Sequence, residues 1–274
     1  MPDLKIATDL EIAGIGLWGP YFSDWGSFVV SLKTGDWPDD AMLQPDLIPP
    51  RERRRAPLSV KLAVETMSQA CEMAHLDPGQ AAVVFSSAMG DIEITDYMCK
   101  TLVAPPRLIS PTKFHNSVHN ATTGYWSIVS QTHAATNAVS AYQYTAPAAL
   151  LETLIQAAEE PAPVLLVAQE MAAVGPLYAA CPSTQPFSMA LLITRKGHCA
   201  KPLASIGFEV QPSAVNWPLL PAALDEQLGS NFGAKLLPLA AALAAKDATY
   251  ARSGGGICFP LNADLSLNIK LSDF

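Results

Sequence analysis

The sequence predicts an α/β fold, a sheet layered with helices. Short apolar runs rich in β-formers alternate along the chain with segments of helical periodicity, and Gly or Pro signals separate them. Half of the 274 residues are hydrophobic and only 15% are charged, which excludes a disordered or fibrous chain and provides for a sizeable core.

Leu10 to Leu17 reads as a buried first strand closed by the turn Trp18-Gly19-Pro20, and Phe22 to Lys33 as a helix ending at Gly35. Residues 36 to 57 carry Pro38, Pro45, Pro49, Pro50 and Pro57 and read as irregular. Leu58 to Ala74 is the clearest helix: Val60, Val64, Met67, Cys71 and Ala74 form one apolar stripe, and Lys61, Glu65, Ser68 and Glu72 the opposite polar face. Cys71 on that stripe reads as a core residue. Ala81 to Phe85 is expected as a buried strand running into the small residues Ser86-Ser87-Ala88-Met89-Gly90, which suit close backbone approach. Ile92 to Val103 is expected to be helical, stopped by Pro105-Pro106, with a loop over 107 to 120 and a helix at about 121 to 130.

Ala134 to Ser140 follows as a strand, Thr145 to Ala158 as a helix with Pro147 in its first turn, then strands at Val164 to Ala168 and Met189 to Thr194. Beyond residue 200 the pattern thins to a strand at Leu203 to Val210 and helices at Leu219 to Leu228 and Ala234 to Ala245. The tail is a half-buried strand in which Leu265, Leu267, Ile269 and Leu271 alternate with polar residues. No linker separates independent domains; an N-terminal body and a small C-terminal portion form one unit.

Charge narrows the function. The 17 Lys and Arg against 25 Asp and Glu give a net charge of −8, which argues against a nucleic-acid backbone binder. No run of about 18 apolar residues predicts a membrane span, and Met-Pro-Asp-Leu-Lys at the start lacks the form of a secretory signal. The five cysteines (Cys71, Cys99, Cys181, Cys199, Cys258) are scattered without a CxxC pair, so neither a metal site nor a disulfide framework is expected; a reducing cytoplasm suits them. Nor does any motif ask for a cofactor.

The order of elements over residues 10 to about 195 resembles the N-terminal half of the β-ketoacyl synthases, members of the thiolase-like fold. "EIAGIGLWGP" with "WGSFVVSLKTG" is similar to the family's opening strand, glycine turn and helix, and "RERRRAPLSVKLAVETMSQACEMAHLD" to its basic stretch and long helix. "AAVVFSSAMGD" is similar to the next strand and turn, and "ISPTKFHNSVHNATTGYWSI" to the segment lining the dimer interface before the active site. The resemblance implies a layered α/β/α thiolase-like sandwich whose N-terminal half (residues 1–200) is well kept and whose C-terminal half (201–274) is reduced and packed on the same unit.

In condensing enzymes of this family a cysteine nucleophile sits at a sharp strand-to-helix turn. Nineteen residues past Gly124, which matches a family glycine in "TTGYWSI", that position falls on Gln143, and Ser140, Ala141, Tyr142 and Tyr144 around it are not cysteine either. A glutamine amide cannot form an acyl-enzyme. The family also needs two histidines in its C-terminal half to drive decarboxylation and stabilise the developing oxyanion. Here His75, His115, His119, His133 and His198 are followed by none, His198 reads as a surface turn, and Ala234 follows Gly233 where active members carry His after Gly.

Glutamine at the nucleophile position resembles either a decarboxylating loading synthase, which keeps the histidines, or a chain-length factor, which has no chemistry of its own. The missing histidines favour the second, and "FHNSVHNATTGYW" resembles the chain-length factors found beside aryl-polyene-type ketosynthases. The resemblance implies an active β-ketoacyl synthase as heterodimer partner, an acyl-carrier protein as indirect partner, and a tunnel at the interface where bulky side chains limit acyl length. The implied tunnel or interface residues are Met98, Leu102, Phe114 and His115. His119 and Asn120 are expected to hold the interface loop, and Gln143 to be a buried, hydrogen-bonded amide. Arg51, Arg53, Arg54 and Arg55 read as a solvated loop, or as a contact for the carrier protein or partner. Two other readings stand beside this one. One is a stand-alone acyltransferase or thioesterase using Ser140 with His115 or His133; the other is a non-catalytic scaffold without influence on length.

Overall fold

In the computed structural model, which describes residues 4–106, 108–246 and 256–274, the chain opens on β1 (Leu4–Trp18). Met1 to Asp3, Arg107 at the head of the expected loop, and residues 247–255 of the C-terminal portion lie outside the described residues. Helix α1 (Trp25–Thr34) starts three residues later than its apolar pattern suggests, because Asp24 and Ser27 form a reciprocal capping box there. Inside the segment expected to be irregular, Pro50–Arg53 forms one helical turn, α2. Helix α3 (Leu58–Ala74) matches its expected bounds, and Cys71 on its stripe is fully buried.

Next come β2 (Ala82–Ser86) and α4 (Ile92–Val103), then a short α5 (Pro111–His115) within the expected loop, capped by Ser110. They are followed by α6 (Ala121–Val129), β3 (Thr136–Val139), α7 (Thr145–Glu159), β4 (Val164–Glu170) and β5 (Phe187–Arg195). The remainder supplies β6 (Ala204–Gln211), α8 (Ala222–Leu228), a 3₁₀ turn at Gly233–Leu236, α9 (Leu237–Ala245), β7 (Ile257–Pro260) and β8 (Ser266–Ser272).

The strands form one eight-stranded sheet in the order β3-β2-β4-β5-β1-β6-β8-β7. The β3-β2-β4 end is parallel, and every pairing from β4 to β7 is antiparallel. Helices cover both faces, which is why the central strands read as unbroken apolar runs. Val164, Leu166 and Ala168 of β4, with Met189, Leu191 and Ile193 of β5, pack into the larger core beneath α7 and α9. Leu165, Val167, Ala190 and Leu192 point the other way, into the core beneath α3 and Trp126 of α6. On that face the backbones touch. A Cβ on Gly14 or Gly16 of β1 would sit 2.1 or 1.9 Å from the Ala70 or Thr66 carbonyl oxygen of α3. These two glycines of the expected first strand are the seat of a helix.

Residues past 200 extend this same sheet: β6 pairs with β1, β8 with β6, and Leu224, Leu228, Leu237 and Leu239 enter the larger core. The tail strand β8 is buried on both sides through Ser266 to Ile269, not half-buried as its alternation suggests, because β7 pairs along it.

Candidate functional site

Three connections leave the carboxyl ends of the parallel strands together: Ser87–Gly90 after β2, Ser140–Tyr144 after β3, and the segment from Met171 after β4. In open α/β sheets this is where ligands bind. The loop after β2 ties the region together. Ser87 Oγ and Ala88 N–H donate to the Glu170 carboxyl at 3.0 and 2.7 Å, and Gly90 N–H donates to Ser87 Oγ at 2.8 Å. His119 Nε2 lies 2.7 Å from the Ser87 carbonyl oxygen, an acceptor only, so Nε2 carries the proton. Ser140 Oγ donates to the Ala88 carbonyl at 3.1 Å. One four-residue loop thus fixes β4, the segment before α6 and the turn after β3.

Glu170 is nearly fully buried, and burial pushes its carboxyl up to about 7 in spite of the hydrogen bonds from Ala88 and Ser87. The neighbouring thiol of Cys181 is likewise pushed up to about 11, by burial and then by the Glu170 charge, so it is no nucleophile at neutral pH.

The turn after β3 carries the expected nucleophile position. Its left-handed residue is Tyr142, at φ +52°, and Gln143 follows it. The turn is held by Thr145, whose Oγ1 accepts from Ala141 N–H at 2.8 Å and donates to the Tyr142 carbonyl at 2.6 Å. Gln143 is only half-buried, and its amide makes no hydrogen bond among the described residues, unlike the buried, paired amide expected of it. The physical reason is that Thr145 already satisfies the turn. The rings on either side are engaged: Tyr142 meets Phe232 edge-on at 5.2 Å, and Tyr144 stacks on Trp217 at 6.1 Å. Lys235 Nζ sits 5.1 Å over the Trp217 ring and donates to the Gly229 carbonyl, with burial lowering its pKa.

The segment expected to correspond to the family's second histidine lies beside this turn: Gly233–Leu236 packs on α7 and β4, and Ala234 there is fully buried. Among the described residues no imidazole is hydrogen-bonded to Ser140 or Gln143. His115 and His133 are exposed, His75 caps α3, and His198 stands exposed in the turn after β5. Ser140 gives its proton to a main-chain carbonyl and, among the described residues, has no hydrogen-bonded base beside it. The described residues bring no three potential metal ligands together. A groove of about 490 Å³ along α3 is lined by Asp46, Glu65 and Glu72, and none of its residues belongs to these turns.

The candidate tunnel residues lie on the outside of this end of the molecule. Met98 is half-buried, Leu102 and Phe114 are exposed by 51% and 62%, and His115 is exposed. Only Ile92 and Ile94 of α4 enter the core. Helix α5 is anchored to α4 through Tyr97, whose hydroxyl accepts from Ser110 N–H at 3.0 Å and whose ring lies 4.3 Å beneath Lys113 Nζ. Val118, Ile128 and Tyr142 continue the exposed apolar series, and β3 leaves one side unpaired as the edge strand. The Asn120 side chain is exposed; its carbonyl accepts from Thr123 Oγ1 and Gly124 N–H. Of the arginine run, Arg53 grips Asp46 and the Ile48 carbonyl, while Arg51, Arg54 and Arg55 are exposed.

Sequence reasoning did not single out Glu170 or Phe232, nor Tyr142 as the left-handed residue, and it named Ser87 only within the small-residue run after the second strand. The only signal for Glu170 was an acid closing the apolar run "VLLVAQE".

With this geometry in place, the class is defined. Residues 31–216 match the β-ketoacyl synthase N-terminal domain family, and the chain belongs to it. No curated protein matches the sequence. Among solved structures, the fold is similar to a chain of the complex of ketosynthase ApeO with its chain length factor ApeC from Xenorhabdus doucetiae. That match has 21% identity and a TM-score of 0.66, over 96% of this chain and 99% of that one. It is similar also to a chain of the ishigamide ketosynthase/chain length factor, at 14% identity and TM-score 0.68 over 97% and 100% of the two chains. A third likeness is to the AntDE:AntF assembly, a type II PKS acyl-carrier protein in complex with its ketosynthase bound to the hexaketide. It has 12% identity and TM-score 0.73, over 97% of this chain and 99% of that one. The fold is the thiolase-like fold of these ketosynthase structures.

Proposed function

We propose that this chain is the catalytically silent, ketosynthase-like subunit of a heterodimer. Its partner is an active β-ketoacyl synthase fed by an acyl-carrier protein, and its task is to limit the length of the growing acyl or polyene chain, in the manner of an aryl-polyene chain-length factor in the cytoplasm. The observation that carries the reading is a juxtaposition. The turn that should bear a nucleophile has an unactivated amide at Gln143, and beside it an exposed apolar face ends in the open edge strand β3. Such a face suits a large obligate interface, of roughly 2,000 Å² or more. The similar structures solved as ketosynthase with chain length factor support the choice of partner.

Length control would then be steric. One further extension unit against Phe114 or Leu102 overpacks the tunnel, at roughly 1–3 kcal/mol per misfit, enough to slow elongation about tenfold or more. The test is to co-express the chain with an active β-ketoacyl synthase from its own source organism and size both the complex and its products. Phe114→Ala and Leu102→Ala should leave the complex intact and lengthen the product. An intact complex whose product length ignores both substitutions would leave only a scaffold.

A further inference from the structure

The polar face of α3 does not meet open water along its whole length. Gln44, Asp46 and Leu47 on one side, with Leu76 and Pro78 just past the helix, enclose a groove of about 490 Å³ against it. That volume is in the range of small-molecule sites. Glu65, Ser68, Gln69 and Glu72 stand along the groove at the spacing of one helix face. Leu47, Leu76 and Pro78 give it an apolar wall, and no lysine, arginine or histidine is among its described lining residues.

Both sides of the groove are tied down. Gln69 Oε1 accepts from Leu17 N–H at 3.0 Å, and its amide nitrogen donates to the Ser23 carbonyl at 2.8 Å and to Glu65 Oε1 at 3.0 Å, so this carboxyl is held in place. Opposite, Arg53 donates to Asp46 Oδ1, the Asp46 carbonyl and the Ile48 carbonyl at 3.0, 3.2 and 3.1 Å. Arg53 thereby balances Asp46, but Glu65 and Glu72 have no cation partner among the described residues. At the middle of the stripe Ser68 Oγ is shut off from solvent and makes no hydrogen bond, a buried polar group without its partner.

The field in the groove is negative. Burial holds the Glu65 carboxyl above its ordinary value against the Gln69 hydrogen bond, and the charges of Glu72, Asp46 and Asp24 act in the same upward direction. The Cys71 thiol at the floor is pushed up to about 12, by burial and then by the charges of Glu72 and Asp77. The carboxylates do not converge as the ligands of a metal ion would. Glu65 and Glu72 are instead spread along two turns of helix, roughly 10 Å of its axis, a layout that suits an elongated organic cation.

We propose that this groove is a binding site for a linear alkyl diamine in its charged form. Its ammonium ends lie on Glu65 and Glu72, Ser68 Oγ accepts from one of them, and the alkyl middle lies against the apolar wall. The site is on the helix layer opposite α7, so it does not rest on the silent-subunit reading.

The purified full-length chain is titrated calorimetrically with hexamethylenediamine at neutral pH and about 50 mM salt. One equivalent should bind saturably, hexylamine at least about tenfold more weakly, and hexanol not at all. Glu65→Gln and Glu72→Gln should each weaken binding about tenfold, and Ser68→Ala a few fold. Glu72→Lys, which puts the chain's own ammonium into the groove, should abolish it. Glu159→Gln, an exposed carboxylate at the end of α7 on the other side of the sheet, should bind as wild type does. If Glu65→Gln or Ser68→Ala fails to fold, the two variants of the exposed Glu72 decide. No saturable binding by wild type up to about 10 mM diamine would overturn the proposal. So would wild-type affinity in Glu72→Lys, which puts the diamine elsewhere. Equal weakening by Glu159→Gln and Glu72→Gln would also overturn it, by reducing the binding to net charge alone. None of these readouts involves the ketosynthase or its product, so their failure leaves the length-control reading untouched.

Discussion

Burial holds the Glu170 carboxyl near pKa about 7, well above its ordinary 4.5, and this has a consequence for stability. Below pH 4.5 the group is protonated in folded and unfolded chain alike. Between 4.5 and 7 the unfolded chain releases a proton that the folded one retains, so stability falls as pH rises and levels off above about 7. The decline attributable to this residue is on the order of 3 kcal/mol. Glu170→Gln keeps an acceptor for Ala88 N–H and should flatten that part of the profile; unfolding midpoints in denaturant at pH 5 and pH 8 measure it. An unchanged pH difference would show that Glu170 does not titrate in this window. The residue scale is also where the sequence was least legible. Gln143 could be found by counting from Gly124, but Glu170 and Phe232 acquire their meaning from contacts made across the fold, which a linear pattern does not carry.

Among the elements, α3 and α4 could be read to the residue, because their starts and stops are local: a proline before Leu58 and a prolyl pair after Val103. Short elements were harder. Helix α5 spans five residues and β7 four, too few for a period to show, and β7 exists by pairing with β8. The reason for Gly14 and Gly16 is tertiary. Gly16→Ala pushes a methyl into the Thr66 carbonyl and should destabilise the chain by about 3 kcal/mol or more, since backbone yields less readily than a side chain. Chemical denaturation checks this, and a wild-type midpoint would mean that α3 does not seat on β1 as described. For β3, Val83 N–H donates to the Ala135 carbonyl, and the alternation of a parallel ladder then turns the N–H of Thr136 and Ala138 outward. Ala138→Pro should therefore spare the fold but abolish pairing through the edge, read by sizing against the co-expressed ketosynthase. A complex that forms normally would place the interface elsewhere.

The layered α/β architecture as a whole was legible because each strand and helix left a period, and because family motifs occurred in order. The way the C-terminal portion joins was not: nothing in its thin pattern says that β6, β8 and β7 continue the sheet from β1, with α9 closing the larger core. The result is a molecule whose exposed apolar end, with Leu102, Phe114, Val118 and Ile128, also carries the turn of Gln143. Among the described residues no helix is long and apolar enough to cross a membrane. The chemical incapacity assigned to that end is tested most directly by mass. The chain and its co-expressed ketosynthase are reconstituted, loaded with an acyl-carrier thioester, and each subunit is weighed intact. The account predicts the acyl adduct on the partner alone, with this chain unmodified in wild type and no independent condensation by Gln143→Cys. An adduct on this chain that disappears in Ser140→Ala would contradict it.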